Sequence, residues 1–143
     1  MNSGGCNCGR VTYQVSGALR PVIACHCTQC RKSSGHHVAA TSALRETVGI
    51  QGPVTWYNSS KTARRGFCGN CGSNLFWDGP GRNISIMAGT LDKPTGIELS
   101  GHIFCADKGD YYCVADDLPK AEGADPNLTT MVGGALASGQ KRS

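Results

Sequence analysis

Nine cysteines in a chain of 143 residues constrain its folding more than any other feature of the sequence. Seven of them lie in three clusters, Cys6-Asn7-Cys8, Cys25-His26-Cys27-Thr28-Gln29-Cys30 and Cys68-Gly69-Asn70-Cys71-Gly72. An odd number of cysteines fits a complete set of disulfides poorly, so the spacing favours metal binding. Only 39% of the residues are hydrophobic and 20 are glycine, so we do not expect apolar burial alone to hold the fold. Metal binding by the cysteines would add the missing stability. The length predicts one folded domain.

The rest of the composition indicates which cellular compartment and which classes of partner to expect. The chain opens without a charged and apolar leader and contains no run of about 18 apolar residues, so we predict a cytoplasmic protein that does not enter a membrane. In a reducing compartment, closely spaced cysteines bind metal or do chemistry more often than they form disulfides. The net charge of +4 and pI of 8.6 slightly favour small anionic partners. Because the lysines and arginines form no basic stripe in the sequence, we do not expect nucleic acid as a partner.

Short alternating segments broken by turn residues predict an all-β protein. Val11, Tyr13 and Val15 are expected on one face of a first strand. The pairs Val54 with Trp56, Leu75 with Trp77, and Ile84 with Ile86 follow the same pattern. No helix of three turns is predicted. We expect residues 1–123 to form the domain and the Gly-, Ser- and Ala-rich residues 124–143 to be a flexible tail, with a short helix near Leu128 to Val132 as an alternative.

The cysteine spacing predicts zinc ligands, although the spacing alone leaves their grouping open. Cys68 and Cys71 in a turn followed by glycine are typical of a zinc knuckle, which a second cysteine pair would complete. That pair could be Cys6 with Cys8, or two of Cys25, Cys27 and Cys30. If Cys6 and Cys8 complete the first site, three thiols remain for a second. Three protein ligands and an open position are the arrangement of a catalytic zinc.

Two alternatives stay open at this point: one structural zinc with spare buried cysteines, or a redox dithiol at Cys27 and Cys30. Alternation along a strand points His26 away from a metal held by Cys25 and Cys27, so we expect His26 to be a polar support. Cys105 is expected to be a core residue. His36 and His37 are expected to be solvated or to reach the open site.

Several ordered motifs between about Gly5 and Gly123 resemble those of the glutathione-dependent formaldehyde-activating enzymes and the related centromere-protein-V-like domains. The motifs that carry this resemblance are Gly5-Cys6-Asn7-Cys8-Gly9, Cys25-His26-Cys27-Thr28-Gln29-Cys30-Arg31-Lys32-Ser33-Ser34-Gly35, Arg65-Gly66-Phe67-Cys68-Gly69-Asn70-Cys71-Gly72, Ala88-Gly89-Thr90-Leu91-Asp92, His102-Ile103-Phe104 and Asp116-Asp117-Leu118-Pro119.

The resemblance implies a β-tent fold of antiparallel sheets with zinc knuckles, and two zinc ions per chain. It implies that Cys6, Cys8, Cys68 and Cys71 hold a structural zinc, and that Cys25, Cys27 and Cys30 hold a catalytic zinc at the glutathione site. The implied activity is that of a carbon-sulfur lyase, an S-(hydroxymethyl)glutathione synthase that joins glutathione to formaldehyde. Arg65 matches the family motif and is a candidate to bind a carboxylate of glutathione. The alternative function is a non-enzymatic zinc module for a protein or nucleic-acid partner.

Overall fold

A computed structural model describes residues 1–132 and 135–136, and most of their regular structure is strand. The strands are β1 Asn2–Gly5, β2 Thr12–Val15, β3 Val22–Cys25, β4 Val38–Leu44, β5 Val48–Gln51, β6 Val54–Asn58, β7 Arg64–Cys68, β8 Asn74–Asp78, β9 Asn83–Met87, β10 Leu99–Ile103, β11 Met131–Val132 and β12 Ala135–Leu136. The helices are α1 Thr28–Ser34 and α2 Pro126–Thr129, with 3-10 turns at Arg45–Thr47, Ala88–Thr90 and Cys105–Asp107. The predicted all-β class is confirmed.

Two sheets build the body of the domain. The larger has the order β10-β3-β4-β9-β8-β7-β6, and the smaller has the order β1-β2-β5. Strands β11 and β12 pair antiparallel in a separate two-stranded sheet. Among the described strands, neighbours pair antiparallel except for β10 and β3, which pair parallel with Ile103 opposite Cys25. This parallel pair places the segment that follows β10 next to the segment that follows β3.

The main core lies between the two sheets. Val11, Tyr13 and Val15 are all buried, which confirms the face predicted for the first strand. They pack in one cluster with Ile84 and Ile86 of β9, which also share a buried face as predicted. Within this cluster the ring of Tyr13 meets the ring of Phe76 edge-on, with centroids 5.4 Å apart. Period-two alternation therefore located the core correctly in β2 and β9.

Strand β8 departs from the predicted alternation. Leu75 and Trp77 were expected on one face, and that prediction is wrong. The pairing of β7 with β8 shifts register, because Gly66 lies opposite Phe76 whereas Phe67 lies opposite Asn74. Leu75 is the additional residue of this bulge, so Leu75 and Phe76 both enter the main core. Trp77 instead packs in a second cluster, beside the thiols described below.

Part of the segment expected to be a tail is ordered against the domain. Helix α2 begins at Pro126, two residues before the position considered for a helix, and buries Leu128. The guanidinium of Arg20, itself buried, donates to the carbonyl oxygen of Thr129 at 3.1 Å. Residues 133–134 and 137–143 lie outside the described part of the chain, so the predicted tail boundary stays a prediction. No helix in the described ranges is long and apolar enough to cross a membrane.

Candidate metal centres

Four thiols from two parts of the sequence meet at one end of the main core. The Sγ atoms of Cys6, Cys8, Cys68 and Cys71 all lie within 4.8 Å of one another. The Cys6–Cys8 sulfur separation is 3.6 Å and the Cys8–Cys68 separation is 3.7 Å. Sulfurs at ~2.3 Å from a tetrahedral zinc lie about 3.8 Å apart, so this four-thiol cluster fits a closed zinc site.

Local backbone geometry presents these thiols. In the turn after β7, the backbone N–H of Gly72 donates to the carbonyl of Cys68 at 2.7 Å. Gly72 adopts a positive φ of 80°, a left-handed conformation that favours glycine. The backbone N–H of Val11 donates to the sulfur of Cys6 and lowers the pKa of that thiol. A hydrogen bond with the Ser73 hydroxyl lowers the pKa of Cys71 to about 5. These hydrogen bonds favour the thiolate forms of Cys6 and Cys71.

Three further thiols meet where β3 runs into α1. The sulfurs of Cys25, Cys27 and Cys30 lie within 4.8 Å of one another, and no fourth protein ligand joins this three-thiol cluster in the part of the chain that the structure describes. Cys25 ends β3, whereas Cys27 caps the N-terminus of α1 by accepting the backbone N–H of Cys30 at 3.4 Å. The helix runs from Thr28 to Ser34 and is capped at its C-terminus by Gly35, whose φ is 82°. A tetrahedral metal at this cluster would keep one position for a ligand from outside.

The surroundings of the three-thiol cluster combine an apolar wall with one cation. Val38 and Met87 are buried against the thiols, and Trp77 packs at the edge of the same group. Arg65 of β7 is only 7% exposed, and its Nη2 lies 3.8 Å from the sulfur of Cys30. The same nitrogen donates to Oε1 of Gln29 at 3.5 Å. The guanidinium therefore faces the sulfurs, and its predicted contact with a substrate carboxylate stays a prediction.

Electrostatics within this cluster favour one thiolate even without a metal. Hydrogen bonds from the thiols of Cys25 and Cys30 lower the pKa of Cys27 to about 2, and the Cys30 backbone N–H and the charge of Arg65 act in the same direction. The bond to Cys27 raises the pKa of Cys25. Because the negative charge collects on Cys27, the cluster is prepared to bind a soft cation.

The remaining candidate residues lie outside both thiol clusters. Cys105 lies in the 3-10 turn after β10, and Cys113 is exposed. His26 is completely buried, but its ring contacts His37, His102 and Tyr112. Tyr112 and His102 are hydrogen-bonded to His26, and Asp116 is hydrogen-bonded to His102; the sequence interpretation left all three partners without a role. No local signal could have found this contact, because 76 residues separate His26 from His102.

A surface groove of about 570 Å³ contains none of the clustered thiols. It is lined by residues of β1, β2 and β5, including Ser3, Gln14 and Gln51. A smaller groove of about 250 Å³ touches the four-thiol cluster through Cys68. We assign chemistry to the thiol clusters because they carry the ligand atoms, whereas the larger groove contains neither cluster.

Comparison with known proteins agrees with this arrangement. A family model described as "Glutathione-dependent formaldehyde-activating enzyme" matches residues 1–107, about three quarters of the chain. The structure is also similar to the crystal structure of a Rhodobacter sphaeroides protein, with a TM-score of 0.53 and 23% sequence identity. That match covers 66% of this chain and 91% of the other. At this identity, the likeness concerns the fold alone.

Proposed function

Because the chain belongs to the glutathione-dependent formaldehyde-activating enzyme family, we propose that it binds two zinc ions and joins glutathione, or a related thiol, to formaldehyde. The product would be S-hydroxymethylglutathione, and the activity that of a carbon-sulfur lyase. The observation that carries the proposal is the division of the clustered thiols into a group of four and a group of three. A closed group serves structure, whereas a group with an open position serves chemistry.

The four-thiol cluster is proposed to stabilise the fold. Cys6 and Cys68 are buried within the main core, and their cluster ties β1 to the turn between β7 and β8. A closed tetrahedral set offers a substrate no coordination position. Its zinc affinity instead becomes folding free energy, because the unfolded chain does not bring these thiols together.

At the three-thiol cluster, zinc would supply a position at which an incoming thiol loses its proton. The chain's own groups would prepare that position. The helix-capping contact fixes the sulfur of Cys27, and Arg65 faces the sulfur of Cys30. The substrate sulfur would then attack the carbonyl carbon of formaldehyde, forming one C–S bond while the C=O π electron pair moves to oxygen. That oxygen would take up one proton, balancing the proton that the thiol released, so the step is an addition without oxidation or reduction.

Charge determines how this cluster can act. Three thiolates and Zn²⁺ carry a formal charge of −1, and a fourth thiolate would make it −2. Such an electron-rich site polarises a carbonyl weakly, so we propose that it delivers the thiol instead of activating the aldehyde. Arg65 is buried beside the cluster and offsets part of this charge.

Calorimetry with two matched ligands tests the proposal. Glutathione should bind the zinc-loaded protein through its sulfur, whereas S-methylglutathione keeps every charge of glutathione but cannot become a thiolate. The methylated compound should therefore bind far more weakly. Binding of glutathione should tighten as pH rises toward the free thiol pKa near ~8.5.

The control is Cys27→Ser, which removes one thiol of the open cluster and should abolish the difference between the two compounds. Equal affinity of the unmodified protein for both compounds, or no heat with either, would refute a thiol site. Either outcome would favour a non-enzymatic zinc module.

A further inference from the structure

All four histidines of the chain gather in one cluster with two tyrosines. His26 and His102 are buried, whereas His36 and Tyr111 lie at the exposed edge. The cluster adjoins the three-thiol cluster through the backbone, because His26 is the residue between Cys25 and Cys27. What holds the ring of His26 therefore also holds the peptide that carries two of the three thiols.

Both ring nitrogens of His26 are hydrogen-bonded. Its Nδ1 lies 2.6 Å from the hydroxyl oxygen of Tyr112, and its Nε2 lies 3.0 Å from Nδ1 of His102. The other nitrogen of His102, Nε2, lies 2.8 Å from Oδ2 of Asp116. Tyr112, His26, His102 and Asp116 thus form one continuous chain of three hydrogen bonds.

The partners determine where the protons of this chain lie. The hydrogen bond from His102 lowers the pKa of Asp116 to about 2, so its carboxylate only accepts at neutral pH. His102 must then donate from Nε2, and in the neutral ring its Nδ1 accepts. His26 therefore donates from Nε2 and accepts at Nδ1, where Tyr112 donates its O–H. One proton arrangement of the neutral rings satisfies every atom of the chain.

The fold places the partners of this hydrogen-bonded chain on both sides of the His26 ring. The parallel pairing of β10 with β3 sets His102 beside Ala24, and the backbone N–H of His26 donates to the carbonyl of Ile103 at 3.0 Å. Tyr112 and Asp116 both belong to the connection after β10. Tyr112 contacts one ring nitrogen of His26 directly, and Asp116 is linked to the other through His102. Rotation of this fully buried ring would break hydrogen bonds that water cannot replace.

We propose that Tyr112, His102 and Asp116 are positioning residues for the three-thiol cluster: by fixing both nitrogens of His26, they hold the peptide that spaces Cys25 and Cys27. The inference rests on the proposed second zinc site, but it does not depend on which thiol or aldehyde binds there. It assigns the connection after β10 a role in metal retention, although that connection supplies no ligand to the cluster.

Zinc release from the full-length protein to a chromogenic chelator tests this role. The fast phase is assigned to the three-thiol cluster by its loss in Cys27→Ser. Tyr112→Phe removes the O–H donor and should speed the fast phase by about 10-fold, the lower end of effects from outer partners of metal ligands. Tyr111→Phe is the matched control, because the Tyr111 hydroxyl contacts His36 and takes no part in the hydrogen bonds from Tyr112 to Asp116.

A second pair of variants tests Asp116, at the other end of the hydrogen-bonded chain that begins at Tyr112. Asp116→Ala removes the acceptor and should also speed release, whereas Asp116→Asn keeps an acceptor oxygen and should restore slow release. Cobalt bound at the three-thiol cluster, with zinc retained in the other, should show altered absorption bands in Tyr112→Phe and Asp116→Ala. The slow phase should stay within error of the parent protein in all four variants, which separates positioning of the three-thiol cluster from a general loosening of the fold.

The outcomes are distinct. Zinc release that is faster in Tyr112→Phe and Asp116→Ala, but not in Tyr111→Phe or Asp116→Asn, supports the inference. Equal rates for Tyr112→Phe and Tyr111→Phe, or equal rates for both Asp116 variants, overturn it while leaving the second zinc site intact. A parent protein with no fast phase and no second metal overturns the proposed site and this inference together.

Discussion

Replacing one cysteine in each cluster should separate the structural thiols from the chemical ones. Cys68 is 1% exposed, belongs to the main core and lies 3.7 Å from the sulfur of Cys8. Structural zinc binding contributes ~10–16 kcal/mol in small zinc domains. If Cys68→Ser removes a quarter of this, the loss is ~2.5–4 kcal/mol, a large part of the ~5–15 kcal/mol that stabilises a typical protein.

The matched change is Cys27→Ser, which should leave the fold nearly unchanged. Cys27 caps α1 through its sulfur, and serine is among the preferred residues at that position. The serine hydroxyl can accept the same backbone N–H, so the helix keeps its cap. The open cluster loses a thiolate and with it the thiol-dependent activity. Cys113→Ser, at an exposed cysteine outside both clusters, is the control for losing a thiol.

Thermal unfolding in zinc-containing, reducing buffer measures the difference, followed by near-ultraviolet circular dichroism of the tryptophans. At ~3 °C per kcal/mol for a domain of this size, Cys68→Ser should lower Tm by about 8–12 °C. Cys27→Ser should lower it by less than ~3 °C. Equal losses for the two variants would show that the division of the ligands is wrong.

Two further predictions concern buried polar groups. Arg65→Met should raise the thiol pKa values of the three-thiol cluster, because a cation beside the sulfurs is lost. It should therefore weaken zinc binding at this cluster by about 10-fold at neutral pH in a chelator competition. Arg65→Lys should recover part of the affinity, and unchanged affinity in Arg65→Met would contradict this role. Tyr13→Phe loses the hydrogen bond to Thr90, ~1 kcal/mol at neutral pH. Burial raises the pKa of Tyr13 to about 12, so the stability that depends on its neutral hydroxyl is lost as pH rises from ~10 to ~12. In urea unfolding across this range the parent protein should therefore lose more stability than Tyr13→Phe, and a constant difference between the two proteins would refute the prediction.

Local sequence was sufficient where one residue type determines the structure. The four-thiol cluster contains a glycine-ended turn, Cys68 to Gly72, that can be identified without tertiary information. Counting the thiols and the family resemblance together predicted the groups of four and three that the structure brings together. Alternation located the buried faces of β2 and β9 because alternate residues of each strand pack into the main core.

The features that sequence could not predict depend on pairing across the sheet. The bulge at Leu75 is defined by the register against β7, so the residues of β8 alone give no sign of it. The parallel pairing of β10 with β3 brings His102 to His26, and alternation says nothing about which strands become neighbours. Helix α1 has 7 residues, too few for a helical period to stand out beside its cysteines.

The central claim is that the clustered thiols form two separate zinc sites, and zinc content tests it most directly. Full-length protein prepared under reducing, zinc-replete conditions should carry two zinc ions per chain by native mass spectrometry. The triple variant Cys25→Ser, Cys27→Ser, Cys30→Ser should carry one and remain folded. A parent protein that never exceeds one zinc, or a triple variant that still binds two, would contradict the account.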